Sequence, residues 1–83
     1  MTEQSFLQSA VDALQQSSDK ISTARDLVVQ NGWHWNDELA ENSDMLFEIH
    51  LFGVAGVGLG AEGAVQNWLE NAKAEIDALE DTA

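Results

Sequence analysis

The sequence predicts an all-α fold, a small bundle of about three helices in a single acidic domain that spans residues 1–83. Apolar residues recur at helical spacing in the first and last thirds of the chain. There is no proline, which suits uninterrupted helices. An apolar fraction of 45% is ordinary for a folded domain, and the length leaves room for one modest core.

The first helix is predicted from residue 3 to residue 30. Its larger apolar residues fall seven apart, with a small residue three positions after the first three of them: Leu7, Leu14, Ile21 and Val28, with Ala10, Ser17 and Ala24. This narrow apolar seam allows a second helix to approach closely. Thr2 is suited to cap the start of the helix, and Asn31-Gly32 is suited to end it.

An acidic ridge lies on the same predicted helix, opposite the seam. Asp12, Asp19 and Asp26 are also seven residues apart. At the rise of an α-helix, successive carboxylates lie roughly 10 Å from each other. Such a ridge is either a solvated outer face or a surface that meets a basic groove on a partner.

Two tryptophans follow the end of the first helix. Trp33 is expected to pack back on the last helical turn, and with Trp68 it is assigned to the core. Trp35 is expected to be partly exposed, and tryptophan is enriched at binding hot spots. Trp35 is therefore a candidate contact residue.

The segment after the tryptophans is predicted to be helical. Asn36 or Asp37 can cap a short turn that contains Glu38, Leu39 and Ala40. Ser43 or Asp44 can cap the helix that follows.

The middle segment, residues 45–59, fits two patterns. Phe47, Ile49 and Leu51 alternate with polar residues, which is typical of a strand. The segment also fits a helical period, with a run of small residues on one face: Gly53, Gly56, Gly60 and Gly63. We favour a helix that weakens or breaks between Gly56 and Gly60. The alternative is an α+β fold with residues 45–52 as a strand.

The last segment, from residue 61 to about residue 81, is predicted to be an amphipathic helix. Trp68 lies at the edge of an apolar stripe formed by Val65, Leu69, Ala72, Ile76 and Leu79. Glu62 falls in the first turn, where a carboxylate complements the helix dipole.

The charge balance limits the classes of partner. Fifteen acidic residues face three basic ones, Lys20, Arg25 and Lys73, and the net charge is −12. Phosphate backbones and anionic membranes repel such a protein, so we expect neither direct nucleic-acid binding nor membrane binding. The N-terminus lacks the features of a secretory signal, and we expect a cytoplasmic protein.

The sequence offers little for catalysis. Residues 58–63 match the dinucleotide-binding pattern G-x-G-x-x-G, but no second parallel strand and no lysine follow, so we interpret the glycines as close helix packing or a turn. His34 and His50 lack the spacing of zinc ligands, and there is no cysteine. We therefore expect no enzyme activity, no metal and no cofactor.

The size and acidity favour a protein-binding module, specifically an inhibitor that presents a negative surface to a basic, nucleic-acid-binding site on a partner protein. Anti-CRISPR and anti-restriction proteins of mobile elements form such a class, and the analogy rests on size and charge alone. The residues assigned to partner binding are Asp12, Asp19, Asp26, Trp35, Glu38, Glu41, Asp44 and Glu48.

The alternative function is that of a self-assembling structural or adaptor protein with no inhibitory role. A homodimer would then form through the seam of the first helix or through the face of Gly53, Gly56 and Gly60.

Overall fold

The computed structural model of the protein describes residues 3–81, and the side chains of residues 6–78. The order of elements is α1 (Glu3–Gln16), α2 (Lys20–Gln30), α3 (Asp37–Glu41), β1 (Leu46–Leu51), β2 (Val54–Leu59) and α4 (Gly60–Asp81). The fold is therefore α+β, and the all-α prediction is wrong. The alternative, with a strand over residues 45–52, agrees with the observed position of β1.

The middle segment forms an antiparallel hairpin in place of the favoured broken helix. Leu46 pairs with Leu59 at its open end and Leu51 with Val54 next to the turn. Burial alternates strictly along β1, as it does in a strand with one covered face. A helix through this segment would also lose about 1 kcal/mol for each interior glycine relative to alanine. The alternation is therefore the pattern that decides the structure here.

The hairpin turn consists of Phe52 and Gly53, both with positive φ, 53° and 78°. This combination is the requirement of a type I′ turn, which matches the twist of the two strands. Positive φ is strained for phenylalanine. The ring of Phe52 stacks on the ring of Phe6 in α1, with centroids 6.2 Å apart. That contact compensates for the strain.

The predicted first helix is two helices, because the chain leaves the helical conformation between residues 16 and 20. The carboxylate of Asp19 accepts a hydrogen bond from Ser22 N at 3.1 Å and caps α2. Ser17 Oγ accepts a second bond from Asp19 N at 3.1 Å. Short polar side chains compete with the helix for its backbone groups in this way. The break leaves Ile21 exposed, whereas Leu7, Leu14 and Val28 are buried as predicted.

Three of the four predicted helix ends fall within the described residues and can be compared. Asn31 caps α2, and Gly32 follows with φ of 83°, as predicted. Asn36 caps α3 by accepting a bond from Leu39 N at 3.1 Å, also as predicted. The prediction of a helix that starts at Ser43 or Asp44 is wrong, because strand β1 follows these residues. The cap assigned to Thr2 lies outside the described residues.

Helix α4 forms the base of the molecule and confirms the predicted amphipathic helix. Its stripe is buried at Val65, Leu69, Ala72 and Ile76, while the side chain of Leu79 lies outside the described residues. The hairpin lies across α4, and α1 and α2 pack against α4 on its remaining sides. The core therefore lies on one side of the two-stranded sheet. No helix within residues 3–81 has the length and apolar character to cross a bilayer.

Candidate protein-binding surface

The inner face of the hairpin lies directly on α4, because glycines remove the side chains that would separate them. A Cβ atom added to Gly56 would lie 2.5 Å from Trp68 Cβ, and one added to Gly58 would lie 2.2 Å from the carbonyl carbon of Gly63. The G-x-G-x-x-G sequence is thus a packing contact between a strand and a helix. The glycines do make a close packing contact, but between a strand and a helix, whereas packing between helices was predicted.

Side chains of α4 also cover the free edge of β2. Trp68 Nε1 donates to Val54 O at 3.0 Å, and Asn71 Nδ2 donates to Ala55 O at 2.8 Å. Asn67 Oδ1 accepts a bond from Val57 N at 2.9 Å. Of these groups, Ala55 O and Val57 N face away from β1, so α4 satisfies backbone groups that the sheet edge would leave unpaired.

The outer face of the hairpin consists of the alternate residues that point away from α4: residues 46, 48 and 50 of β1 and residues 55, 57 and 59 of β2. Leu46 and Leu59 are direct cross-strand partners and are 68% and 56% exposed. Val57, which is also exposed, pairs with Glu48. A sheet with one solvated face usually carries polar residues there. This face is mainly apolar instead.

Sequence reasoning missed the apolar outer face. The apolar outer face can be read from the sequence once β1 and β2 are treated as strands, because side chains two residues apart in a strand lie on the same face. The helical interpretation of residues 45–59 concealed this spacing. A strand interpretation would have placed Leu46, Val57 and Leu59 together on the side opposite the core.

The two tryptophans near β1 have exchanged the environments predicted for them. Trp35 is buried and packs edge-on against Phe47, with ring centroids 4.8 Å apart. Trp33 is exposed and stacks on His50, 6.1 Å away. Residues 33–36 form no helix or strand, and the chain turns alternate side chains to opposite sides. Trp35 is therefore a core residue, and its prediction as an exposed contact is wrong.

The predicted acidic ridge does not form a single line, because Asp12 belongs to α1, Asp19 lies in the break between the two helices and Asp26 belongs to α2. All three are exposed. Asp12 accepts a bond from Gln8 Nε2 at 3.1 Å, and Asp19 is used as the cap of α2. The helix break at residues 17–19 separates the ridge into two parts.

The remaining predicted acids lie from α3 to β1, and all are exposed. Glu38 and Glu41 are in α3, Asp44 precedes β1, and Glu48 is on the outer face, where its Oε1 lies 2.7 Å from His50 Nε2. The structure thus brings Glu48 and the apolar residues of the hairpin onto one surface.

An acidic cleft of about 420 Å³ opens beside the outer face. It lies between the start of α2, α3 and the start of α4, and Leu59 belongs to both surfaces. Its single basic residue, Arg25, pairs with Asp37 at 3.6 Å. The carboxylates that line it belong to Asp19, Asp37, Glu41 and Glu62. We call this the acidic cleft.

The surfaces named for a homodimer are used largely inside the chain, although Ile21 of the seam and Gly53 of the glycine face are exposed. Leu7 and Leu14 of the seam are buried, and Gly56 lies against Trp68. These residues are not free to contact a second copy. Among the side chains of residues 6–78, no three histidine or acidic groups lie together so that they could hold a metal ion.

No protein family, curated protein or solved structure matches the chain. Its function is therefore inferred from the surface described above.

Proposed function

We propose that this protein is a protein-binding module that presents a negatively charged surface to a basic, nucleic-acid-binding site on a partner and keeps nucleic acid out of that site. The observation that supports the proposal is the lack of charge compensation. Among the described side chains, ion pairs join only Arg25 to Asp37 and His50 to Glu48. None of the charged groups described is buried.

The unpaired carboxylates give the protein a field that acts over distance. At physiological ionic strength the field reaches about 8 Å before it is screened, which is sufficient to guide a basic surface toward the acids. Opposite fields speed association and select against partners of the same sign. Phosphate backbones carry the same sign as this protein. A site that normally holds nucleic acid is therefore the type of basic surface that complements it.

The proposal is tested by competition. The probes are purified nucleic-acid-binding proteins, including CRISPR effector complexes and restriction enzymes, each holding a fluorescent oligonucleotide. We expect this protein to displace the oligonucleotide from at least one probe, with an affinity that falls as the salt concentration rises from about 50 to 500 mM. Fluorescence anisotropy measures the displacement.

A pair of variants tests whether binding depends on the acids between α3 and β1 or only on the total charge of the protein. Glu41→Gln, Asp44→Asn and Glu48→Gln together neutralise the α3–β1 region. The matched control makes the same change in charge on α4 with Glu70→Gln, Glu75→Gln and Asp77→Asn. We expect the first variant to lose about tenfold in affinity, which corresponds to three ion pairs of roughly 0.5 kcal/mol each. Equal losses in the two variants, or displacement that is independent of salt, would contradict the proposal.

A further inference from the structure

The outer face and the acidic cleft form one continuous surface with two chemical characters. Leu59 lines the cleft and also pairs with Leu46 on the outer face. A molecule seated on the outer face at Leu59 is therefore also beside the carboxylates of Glu41 and Glu62. Exposed apolar surface with a polar rim is a mark of an interaction site.

Two other exposed apolar side chains adjoin the combined surface: Ile21 lines the acidic cleft, and Trp33 stacks on His50 of the outer face. Val29 is on α2, Met45 precedes β1, and the ring of Phe6 stacks against Phe52. Single exposed apolar residues such as Val29 are normal on protein surfaces. The cross-strand pair of Leu46 and Leu59, with Val57 beside it, is different because the ladder holds the three side chains on one side of the sheet.

We propose that this combined surface docks a basic amphipathic helix of a partner protein, with the apolar side chains of that helix on Leu46, Val57 and Leu59 and a lysine or arginine in the acidic cleft. This inference rests on the proposed function and names the surface and the class of partner.

Charge selects the occupant. A second copy of the chain would place another net charge of −12 against the carboxylates of the cleft. Like charges at an interface cost several kcal/mol, whereas a basic segment is attracted. The apolar part of the surface requires apolar side chains in the same segment. The surface therefore fits a segment with one apolar side flanked by basic residues.

The dimensions agree with a short helical contact. Positions 57 and 59 lie about 7 Å apart along the strand, and one to two turns of a helix cover that distance. Amphipathic helices bind in this way through apolar residues at positions i, i+3, i+4 and i+7.

The test is a nuclear magnetic resonance titration of the full, 15N-labelled chain. The probe is a peptide of about 14 residues made of leucine and lysine, with leucine at i, i+3, i+4 and i+7. Two reference peptides are an isomer with the same composition in scrambled order and an oligolysine of equal length. We expect saturable binding of the amphipathic peptide, with shifts at the amides of Leu46, Val57, Leu59 and Glu62. Both reference peptides should bind at least tenfold more weakly.

A variant of the apolar part locates the contact. Leu46→Thr with Leu59→Thr removes apolar surface and introduces β-branched residues, which suit a strand. We expect at least a tenfold loss of affinity for the amphipathic peptide. Val29→Thr is the matched control, because Val29 is exposed on α2, away from the hairpin, and this variant should bind as the wild type does.

The outcomes separate this inference from the proposed function. Salt-dependent binding that is equal in the wild type and the double threonine variant overturns the docking surface and leaves the proposed function standing. Binding that depends on Leu46 and Leu59 but not on salt supports the apolar contact alone, overturns the basic side chain in the acidic cleft and contradicts the electrostatic function. A final outcome is that, without peptide, the amide shifts of the outer face change with protein concentration in the wild type and stay constant in the double threonine variant. That result assigns the surface to a second copy of the chain and overturns the proposal.

Discussion

The two faces of the hairpin are formed by alternate residues of the same two strands, but they have opposite environments. The inner face contains glycines where α4 approaches, and its large residues Phe47, Ile49 and Leu51 are buried. The outer face carries Leu46, Val57 and Leu59 in solvent. An isolated two-stranded hairpin is at best marginally stable in water. The comparison therefore indicates that the inner face holds the fold together, whereas the outer face is free to serve a partner.

The largest effect that the comparison predicts comes from Trp68, the centre of the inner contact. Its side chain is 1% exposed, and its Nε1 donates to Val54 O. Trp68→Ala should cost about 3–5 kcal/mol, as large-to-small changes of buried aromatic residues do. A domain of this size has a similar total stability, so the variant should be unfolded at 25 °C. Circular dichroism tests this, and a cooperative thermal transition near that of the wild type would contradict it.

A smaller loss of stability is expected where a side chain is added to the inner face. Gly56→Ala should cost about 2–3 kcal/mol, because the new Cβ would meet the backbone and the Cβ of Trp68. Gly53→Ala is the matched control. It has positive φ but no atom within 4 Å of the new Cβ, so only about 1 kcal/mol of conformational strain is expected. Urea denaturation measures both, and a larger loss for Gly53→Ala would show that strain and not close approach dominates.

The turn that joins the two strands gives the next largest change in stability. Phe52→Asn should relieve about 1 kcal/mol of strain, since asparagine tolerates positive φ, but it also removes the stacking on Phe6. The two terms should nearly cancel in the wild-type background. In a Phe6→Ala background the stacking is already lost, so Phe52→Asn should stabilise by about 1 kcal/mol. Thermal unfolding of the four proteins checks the cycle, and destabilisation in both backgrounds would mean that the strain is not relieved.

Local signals in the sequence were sufficient for the end of α2, for the start of α3 and for α4. Asn36 and Asn31-Gly32 act within one turn of their own positions, so their effect does not depend on the rest of the fold. The long run of apolar residues at helical spacing in α4 was a similarly clear signal. The break between α1 and α2 also had a local cause at Ser17 and Asp19, but the regular spacing of apolar residues across it concealed that cause.

The hairpin required tertiary information. The glycines fit both a helix face and a close strand contact, and the choice depends on Trp68 and Gly63, which are distant in the sequence. The predictions for Trp33 and Trp35 were the reverse of their observed environments for a similar reason. The position of β1 determines which side of the extended segment at residues 33–36 faces the core. Of the acids that line the cleft, Asp19 and Glu41 were assigned to partner binding from the sequence, whereas Asp37 and Glu62 were not. Their apolar neighbours were not assigned either, because those neighbours share a face only once the strands are paired.

The smallest expected effect is the sharpest test of the contrast between the faces. Leu46→Thr with Leu59→Thr should change the free energy of unfolding by no more than about 0.5 kcal/mol, because the side chains are mostly in solvent already and threonine suits a strand. Urea denaturation beside Val29→Thr, an exposed control on α2, provides the measurement. A loss of more than 1 kcal/mol would mean that the outer face contributes to the fold, and a partner could then occupy it only in competition with stability.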